Sequence, residues 1–228
     1  WVFVNPVQQL GRSGSLYSIA DYFTINPALV SADSYLEPDA QVQAMAEHAG
    51  ERDLSLMIDL VINHCAEDSP LVREHPDWFV RQHGRIQHPF CIEDNGNKVV
   101  WRDLAQFDHQ RALQQADEPD GLLAYFVELV EHLIALGFRG FRCDAAYQLP
   151  AELWQRLITA VRDNHPETIF VAETLGCTPE QTRKTAEAGF DAIFNSAKWW
   201  DLHGNWLLEQ YELTRQIAPS IGFPESHD

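Results

Sequence analysis

The 228 residues are 45% hydrophobic and 22% charged, ordinary values for a globular chain that exclude disorder and low-complexity architecture. The formal net charge of −18 repels phosphate backbones and anionic lipid, which excludes nucleic acid and membrane surfaces as partners. No apolar run approaches the roughly 18 residues of a membrane span. The four cysteines (Cys65, Cys91, Cys143, Cys177) lack CxxC or metal-ligand spacing, so free thiols in a reducing, cytoplasmic setting are expected.

One unit recurs along the chain: a short apolar strand, a polar loop, an amphipathic helix. Strand Trp1–Val4 is followed by a helix with Pro38 in its first turn, Val42, Met45, Ala46 and Ala49 on one face, and Gly50 at its end. The aliphatic run Leu54–Ile62 predicts the next strand. A helix then aligns Leu122, Phe126, Leu129, Val130 and Leu133 and stops at Gly137. Strand Phe138–Cys143, a helix opened by Pro150 with Leu153, Leu157 and Val161, and strand Thr168–Ala172 follow. Thr178-Pro179-Glu180-Gln181 predicts a capping box with proline at the first helical position. That helix ends at Gly189, before strand Phe190–Phe194, a helix around Trp206–Ile217 and strand Ser220–Pro224.

Strands apolar on both faces, alternating with helices, predict a parallel sheet covered by helices. No GxGxxG or GxxxxGK[ST] follows any strand, which removes the main support for a nucleotide-binding open sheet. Six units fit a (β/α)8 TIM barrel, α/β in class and incomplete, spanning about strands 2–7 of a ~250-residue barrel. Both termini read as buried strand rather than polar ends, as in a piece of a longer chain. Residues 1–64 are the expected N-terminal part of the barrel and 107–228 its C-terminal part. The proline- and glycine-bearing stretch 65–106 interrupts the rhythm as a small subdomain inserted after strand 3 of the barrel.

In such a barrel the chemistry sits at the C-terminal strand ends. These ends carry Asp59 and His64, Arg142 and Asp144, Glu173, and His227 with Asp228. Arg142 and Asp144, two apart on a strand, share a face, and a guanidinium beside a carboxylate favours its ionised form, as a nucleophile needs. Glu173, ending the apolar run Ile169–Ala172 of the adjacent strand, is expected to be partly desolvated with a raised pKa, as a general acid needs. Two such carboxyl groups about 5–5.5 Å apart make a retaining glycosidase pair, and neighbouring strands lie about 4.8 Å apart. Ser226-His227-Asp228 holds triad letters, but consecutive strand residues point to opposite faces. Asp59, His64 and His227 could converge on a metal, although HExxH and HxH spacings are absent.

Four blocks carry a resemblance: Asp59-Leu-Val-Ile-Asn-His64, Gly140-Phe-Arg-Cys-Asp144, Val171-Ala-Glu173 and Phe223-Pro-Glu-Ser-His-Asp228. In this order and spacing they resemble the α-amylase superfamily, glycoside hydrolase family 13, over nearly the whole chain. Tyr17-Ser-Ile-Ala-Asp-Tyr22 with Asn26-Pro27 resembles the family's early loop with a sugar-stacking tyrosine. Trp101-Arg-Asp-Leu-Ala-Gln106 resembles the end of its inserted domain B. The resemblance implies Asp144 as nucleophile, Glu173 as acid/base, and Asp228 as the residue that binds ring hydroxyls and distorts the sugar. It implies that Arg142 positions Asp144 with help from Asp59, that His64 and His227 donate hydrogen bonds to the same sugar, and that Tyr17 stacks beneath it.

Asn63 and Asp103 match calcium-ligand positions, but Tyr147-Gln148 replaces the family's Lys-His after the nucleophile. No cofactor is therefore expected, with calcium the sole candidate. The same change argues against ordinary endo-amylase specificity. The texture of Ser69-Pro70 and Glu74–Phe79 is similar to maltosyltransferases that use maltose 1-phosphate. The expectation is an enzyme that hydrolyses or transfers α-1,4-glucosidic bonds of an α-glucan or maltooligosaccharide. Maltosyl transfer from an activated donor is the alternative, and a non-catalytic glucan-binding fragment the alternative of another class.

Overall fold

The computed structural model describes residues 1–92 and 97–223. Six strands form one parallel sheet in chain order: β1 (Val2–Val4), β2 (Leu56–Leu60), β3 (Gly140–Cys143), β4 (Ile169–Ala172), β5 (Ala192–Phe194) and β6 (Ser220–Ile221). Helices α1 (Pro38–Gly50), α2 (Leu122–Ala135), α3 (Ala151–Asn164), α4 (Pro179–Ala186) and α5 (Trp206–Thr214) fill the connections. Among the described residues these are six consecutive strands of a (β/α)8-type barrel, with β1 and β6 at the edges of the sheet.

The inner strands are buried on both faces, with Ile58, Phe141, Phe170 and Ile193 all at 0% exposure. Helix α2 lays Leu122, Phe126, Leu129, Val130 and Leu133 on this sheet, and α3 lays Leu153, Trp154, Leu157 and Val161. After α2 the chain turns at Gly137 with φ +106, where an added Cβ would overlap Ala46 of α1. Only glycine permits both that turn and that helix contact. Helix α4 opens on the capping box read from Thr178 and Gln181.

The strands are shorter than the apolar runs. Leu54 is 43% exposed ahead of β2, and beyond Leu60 the backbone leaves the sheet to make a turn held by side chains. The Tyr22 hydroxyl lies 3.0 Å from the Val61 carbonyl and 2.8 Å from that of His64, and His109 Nε2 lies 3.0 Å from the Ile62 carbonyl. The stretch read as an early loop contains a strand, Ile19–Ile25, antiparallel to Gln8–Leu10. Its buried residues, Ile19, Tyr22 and Ile25, fall every third position because bulges interrupt the pairing, which hides the period of two. Asp108 accepts the Arg111 N–H at 3.0 Å and so caps a short helix, His109–Gln114, that the apolar periodicity also leaves unread.

Within 65–106 the chain leaves and returns through one antiparallel pair, His64–Ala66 against Leu104–Gln106. Hairpins Arg81–Gln82/Arg85–Ile86 and Phe90–Ile92/Lys98–Val100 lie between, over buried Trp78, Phe79 and Phe107.

Candidate active site

Register brings the charged strand ends together. Asp59 on β2 sits directly beside Arg142 on β3, and the ladder continues past the strands through Asp144 N–H to the Leu60 carbonyl and Glu173 N–H to the Cys143 carbonyl. Arg142 is 4% exposed and Asp59 is fully buried. Arg142 Nη1 donates to Asp59 Oδ1 at 2.6 Å and to Asp144 Oδ1 at 2.8 Å, and its Nη2 lies 3.9 Å from Glu173 Oε2. One buried guanidinium thus faces three carboxylates, hydrogen-bonded to two of them, and these opposite charges compensate one another's loss of water.

The Tyr17 hydroxyl donates to Asp59 Oδ2 at 2.9 Å. Burial pushes the Asp59 carboxyl up to about 6 against the opposing pull of Arg142, while burial and the Asp59 charge hold the Tyr17 phenol well above its usual range. The three surrounding carboxylates push Arg142 upward, so it is a permanent cation.

Ala145, directly after Asp144, adopts φ 44 and ψ 39. A left-handed alanine costs of order 1 kcal/mol or more. This turn sends the Ala145 N–H to Glu173 Oε2 at 2.7 Å, so one backbone turn locks the two carboxylates in relation to each other.

His64 is buried, and its Nε2 lies 3.2 Å from the Tyr17 carbonyl, an acceptor that requires the proton on Nε2. Nδ1 lies 3.4 Å from Asn63 Nδ2, and burial holds the imidazole below its usual pKa and neutral. In that tautomer the ring N–H is directed at the Tyr17 carbonyl, while the ring itself remains on the cavity wall. Asn63 Nδ2 also donates to Gln148 Oε1 at 3.0 Å.

These groups line a cavity of about 330 Å³, within the size range of small-ligand sites. Tyr17, His64, Arg142, Asp144 and Glu173 are on its wall, together with Asn63, Trp101, Asp103, Tyr147 and Gln148. Asp59 is not on the wall but is hydrogen-bonded to Tyr17 and Arg142, which are. His227 and Asp228 lie outside the described residues. Residues that hold the site but gave little sequence signal are Ala145, Tyr22 and His109. A left-handed alanine has no mark in sequence, and Tyr22 and His109 act through carbonyls of a distant turn.

Residues 1–82 match the family model described as glycogen debranching enzyme, glucanotransferase domain. Over 230 residues the chain is 26% identical to the alpha-1,4-glucan:maltose-1-phosphate maltosyltransferase of Burkholderia pseudomallei, covering 100% of this chain and 19% of that protein. The enzyme of the same name from Rhodospirillum rubrum is 30% identical over 82% of this chain and 25% of its own length. Among solved structures, an alpha-amylase from Lactobacillus plantarum superposes with TM-score 0.70 at 24% identity, over 96% of this chain and 52% of that one. The cyclic alpha-maltosyl-(1→6)-maltose hydrolase of Arthrobacter globiformis gives TM-score 0.68 at 19% identity, over 99% and 52%. The chain spans 19% and 34% of the first two curated relatives. The solved structures establish the barrel fold, and the curated relatives supply the link to glucan-active enzymes.

Proposed function

We propose that this chain, a member of the α-amylase superfamily, carries the core of an enzyme that cleaves α-glucosidic bonds and passes the sugar to water or to another sugar, with retention. The observation that carries this reading is the single Arg142 guanidinium shared by Asp59 and Asp144, with Glu173 fastened to the turn after Asp144. In the first step an Asp144 oxygen attacks the anomeric carbon as the glycosidic C–O bond breaks. Protonated Glu173 gives its proton to the departing oxygen. In the second step Glu173, now a carboxylate, takes a proton from water or from a sugar hydroxyl, whose oxygen displaces Asp144 and regenerates both groups.

Arg142, tied to buried Asp59, fixes the attacking carboxylate, and Tyr17 completes the shell around Asp59. By resemblance, Asp228 and His227 would hold the ring hydroxyls of the sugar. The partner is an α-glucan or maltooligosaccharide. A second reading, maltosyl transfer from a phosphorylated donor, is favoured by the shared name of the curated relatives, alpha-1,4-glucan:maltose-1-phosphate maltosyltransferase. Among the described residues no helix is long and apolar enough to cross a membrane.

Calcium is the ion the fold family implies between insert and barrel. Asn63 Oδ1 is buried without a hydrogen-bond partner, and Asp103 and Gln148 line the same cavity. Yet the set offers one carboxylate where calcium wants six or more oxygens, and Gln148 Oε1 is already bonded to Asn63. Among the described residues no group of three or more His, Cys, Asp or Glu could hold a metal. The residues present do not fit a calcium cage, and no cofactor is included in the proposal.

The test is proton NMR of the protein with α-maltosyl fluoride and a maltooligosaccharide acceptor. Turnover with retained configuration, abolished in Asp144→Asn, is expected. Free maltose marks hydrolysis and an elongated acceptor marks transfer. Undiminished turnover in Asp144→Asn would remove Asp144 from the reaction.

A further inference from the structure

The cavity wall supplied by the inserted segment has a chemistry unlike its floor. The floor is ionic, with Arg142, Asp144 and Glu173, whereas the insert contributes three apolar side chains, Pro89, Trp101 and Leu104, beside a single carboxylate, Asp103. Trp101 is 38% exposed, in contrast to Trp78 of the same segment, which is 5% exposed and serves the core.

The Trp101 backbone is firmly placed. Phe90 pairs with Val100 across the hairpin, and the Trp101 N–H donates to the Pro89 carbonyl at 3.1 Å, so the two residues flank the hairpin base. The Leu104 N–H donates to the Trp101 carbonyl at 3.3 Å, and Leu104–Gln106 pairs with His64–Ala66, tying that base to the strand that begins at His64. The backbone that carries the indole is thus fixed on both sides, and the indole stands on the cavity wall.

A glucose ring has hydroxyls around its edge and C–H groups on its faces, so it needs polar partners at its rim and an apolar plane against its face. The ionic floor meets the first need for the ring undergoing reaction. From this division we propose that Trp101, beside Pro89 on the same wall, is the platform for a second glucose ring, making the cavity a site for α-linked chains of two or more units. The chain-length role deepens the glucan reading above and rests on it.

The test measures binding apart from turnover. In the Asp144→Asn protein, glucose, maltose and maltotetraose are titrated by ligand-observed NMR, with and without Trp101→Ala. Maltotetraose is expected to bind more tightly than glucose, and Trp101→Ala to weaken maltotetraose roughly tenfold, equivalent to about 1.4 kcal/mol, with glucose changed less than about twofold. Trp101→Phe should recover most of the loss. Trp101→Leu keeps apolar bulk without the ring, and it should behave like Trp101→Ala even if the alanine variant proves unstable.

Equal weakening of glucose and maltotetraose, or no weakening of either, would overturn the platform. So would a Trp101→Leu variant that binds like the parent, or a parent that binds no sugar. The catalytic reading fails separately, through turnover that survives in Asp144→Asn.

Discussion

Replacing Arg142 with methionine tests the centre of the site, because that guanidinium holds buried Asp59 and cavity-facing Asp144 at once. Methionine keeps the apolar stem but leaves a fully buried carboxylate without its cation, a loss of about 3–5 kcal/mol in comparable buried pairs. For a chain of this length each kcal/mol shifts the melting midpoint by about 2–4 °C, so thermal unfolding at pH 7.5 should show a drop of about 6–20 °C.

The pH dependence identifies the cause. Burial already pushes the Asp59 carboxyl up to about 6 with Arg142 present, and losing the cation moves it higher. A carboxyl whose folded pKa exceeds its unfolded value binds extra protons when native, so its contribution falls as pH rises through that window. The deficit of Arg142→Met relative to the parent should therefore shrink at pH 5, where the stranded carboxyl is neutral. Adding Asp59→Asn should return most of the loss at pH 7.5. A deficit below about 1 kcal/mol, one equal at both pH values, or no recovery with Asp59→Asn would refute this electrostatic account.

Other outcomes follow from the same arrangement of side chains. Glu173→Gln should lose turnover of a maltooligosaccharide by about 10²–10⁴-fold, yet still cleave α-maltosyl fluoride, whose leaving group needs no proton; equal loss on both substrates would remove Glu173 as the acid. Burial lowers the His109 pKa to about 4, so the native state binds fewer protons than the unfolded chain between there and 6.5. Its share of stability, up to about 3 kcal/mol, is lost as pH falls from 6.5 toward 4, and His109→Gln should flatten the melting profile over that range; an unchanged profile would count against it. Chelator treatment should leave both the melting midpoint and fluoride turnover unchanged, whereas a loss restored by calcium alone would overturn the cofactor-free reading. The 228 residues by themselves should self-associate in size-exclusion chromatography, because β1 is an edge of the described sheet with Val2 at 40% and Phe3 at 43% exposure; a stable monomer with a cooperative transition would count against this.

How much could be read in advance depended on the range of each signal. Strand order followed from alternation, because a strand buried on both faces and followed by a helix has few ways to pair. The Arg142–Asp144 contact was equally legible, since residues two apart on a strand must share a face. Asp59 opposite Arg142 was not legible from spacing alone: that contact depends on the register between β2 and β3, where a slip of one residue would turn Asp59 to the other face. The hairpin from Gln8 to Ile25 was hidden because its bulges replace alternation with a spacing of three.

The least legible features are those that fix the site most tightly. The left-handed turn at Ala145 places an N–H on Glu173, and Tyr22 and His109 secure the turn between β2 and His64 through its carbonyls. None of these three supplies charge to the cavity. Each sets where a charged neighbour stands, and a displacement of about an ångström at such a group costs catalysis as surely as its removal. Motif residues therefore identify the chemistry in sequence, while the groups that make it work at a fixed distance become visible only when the backbone between them is in place.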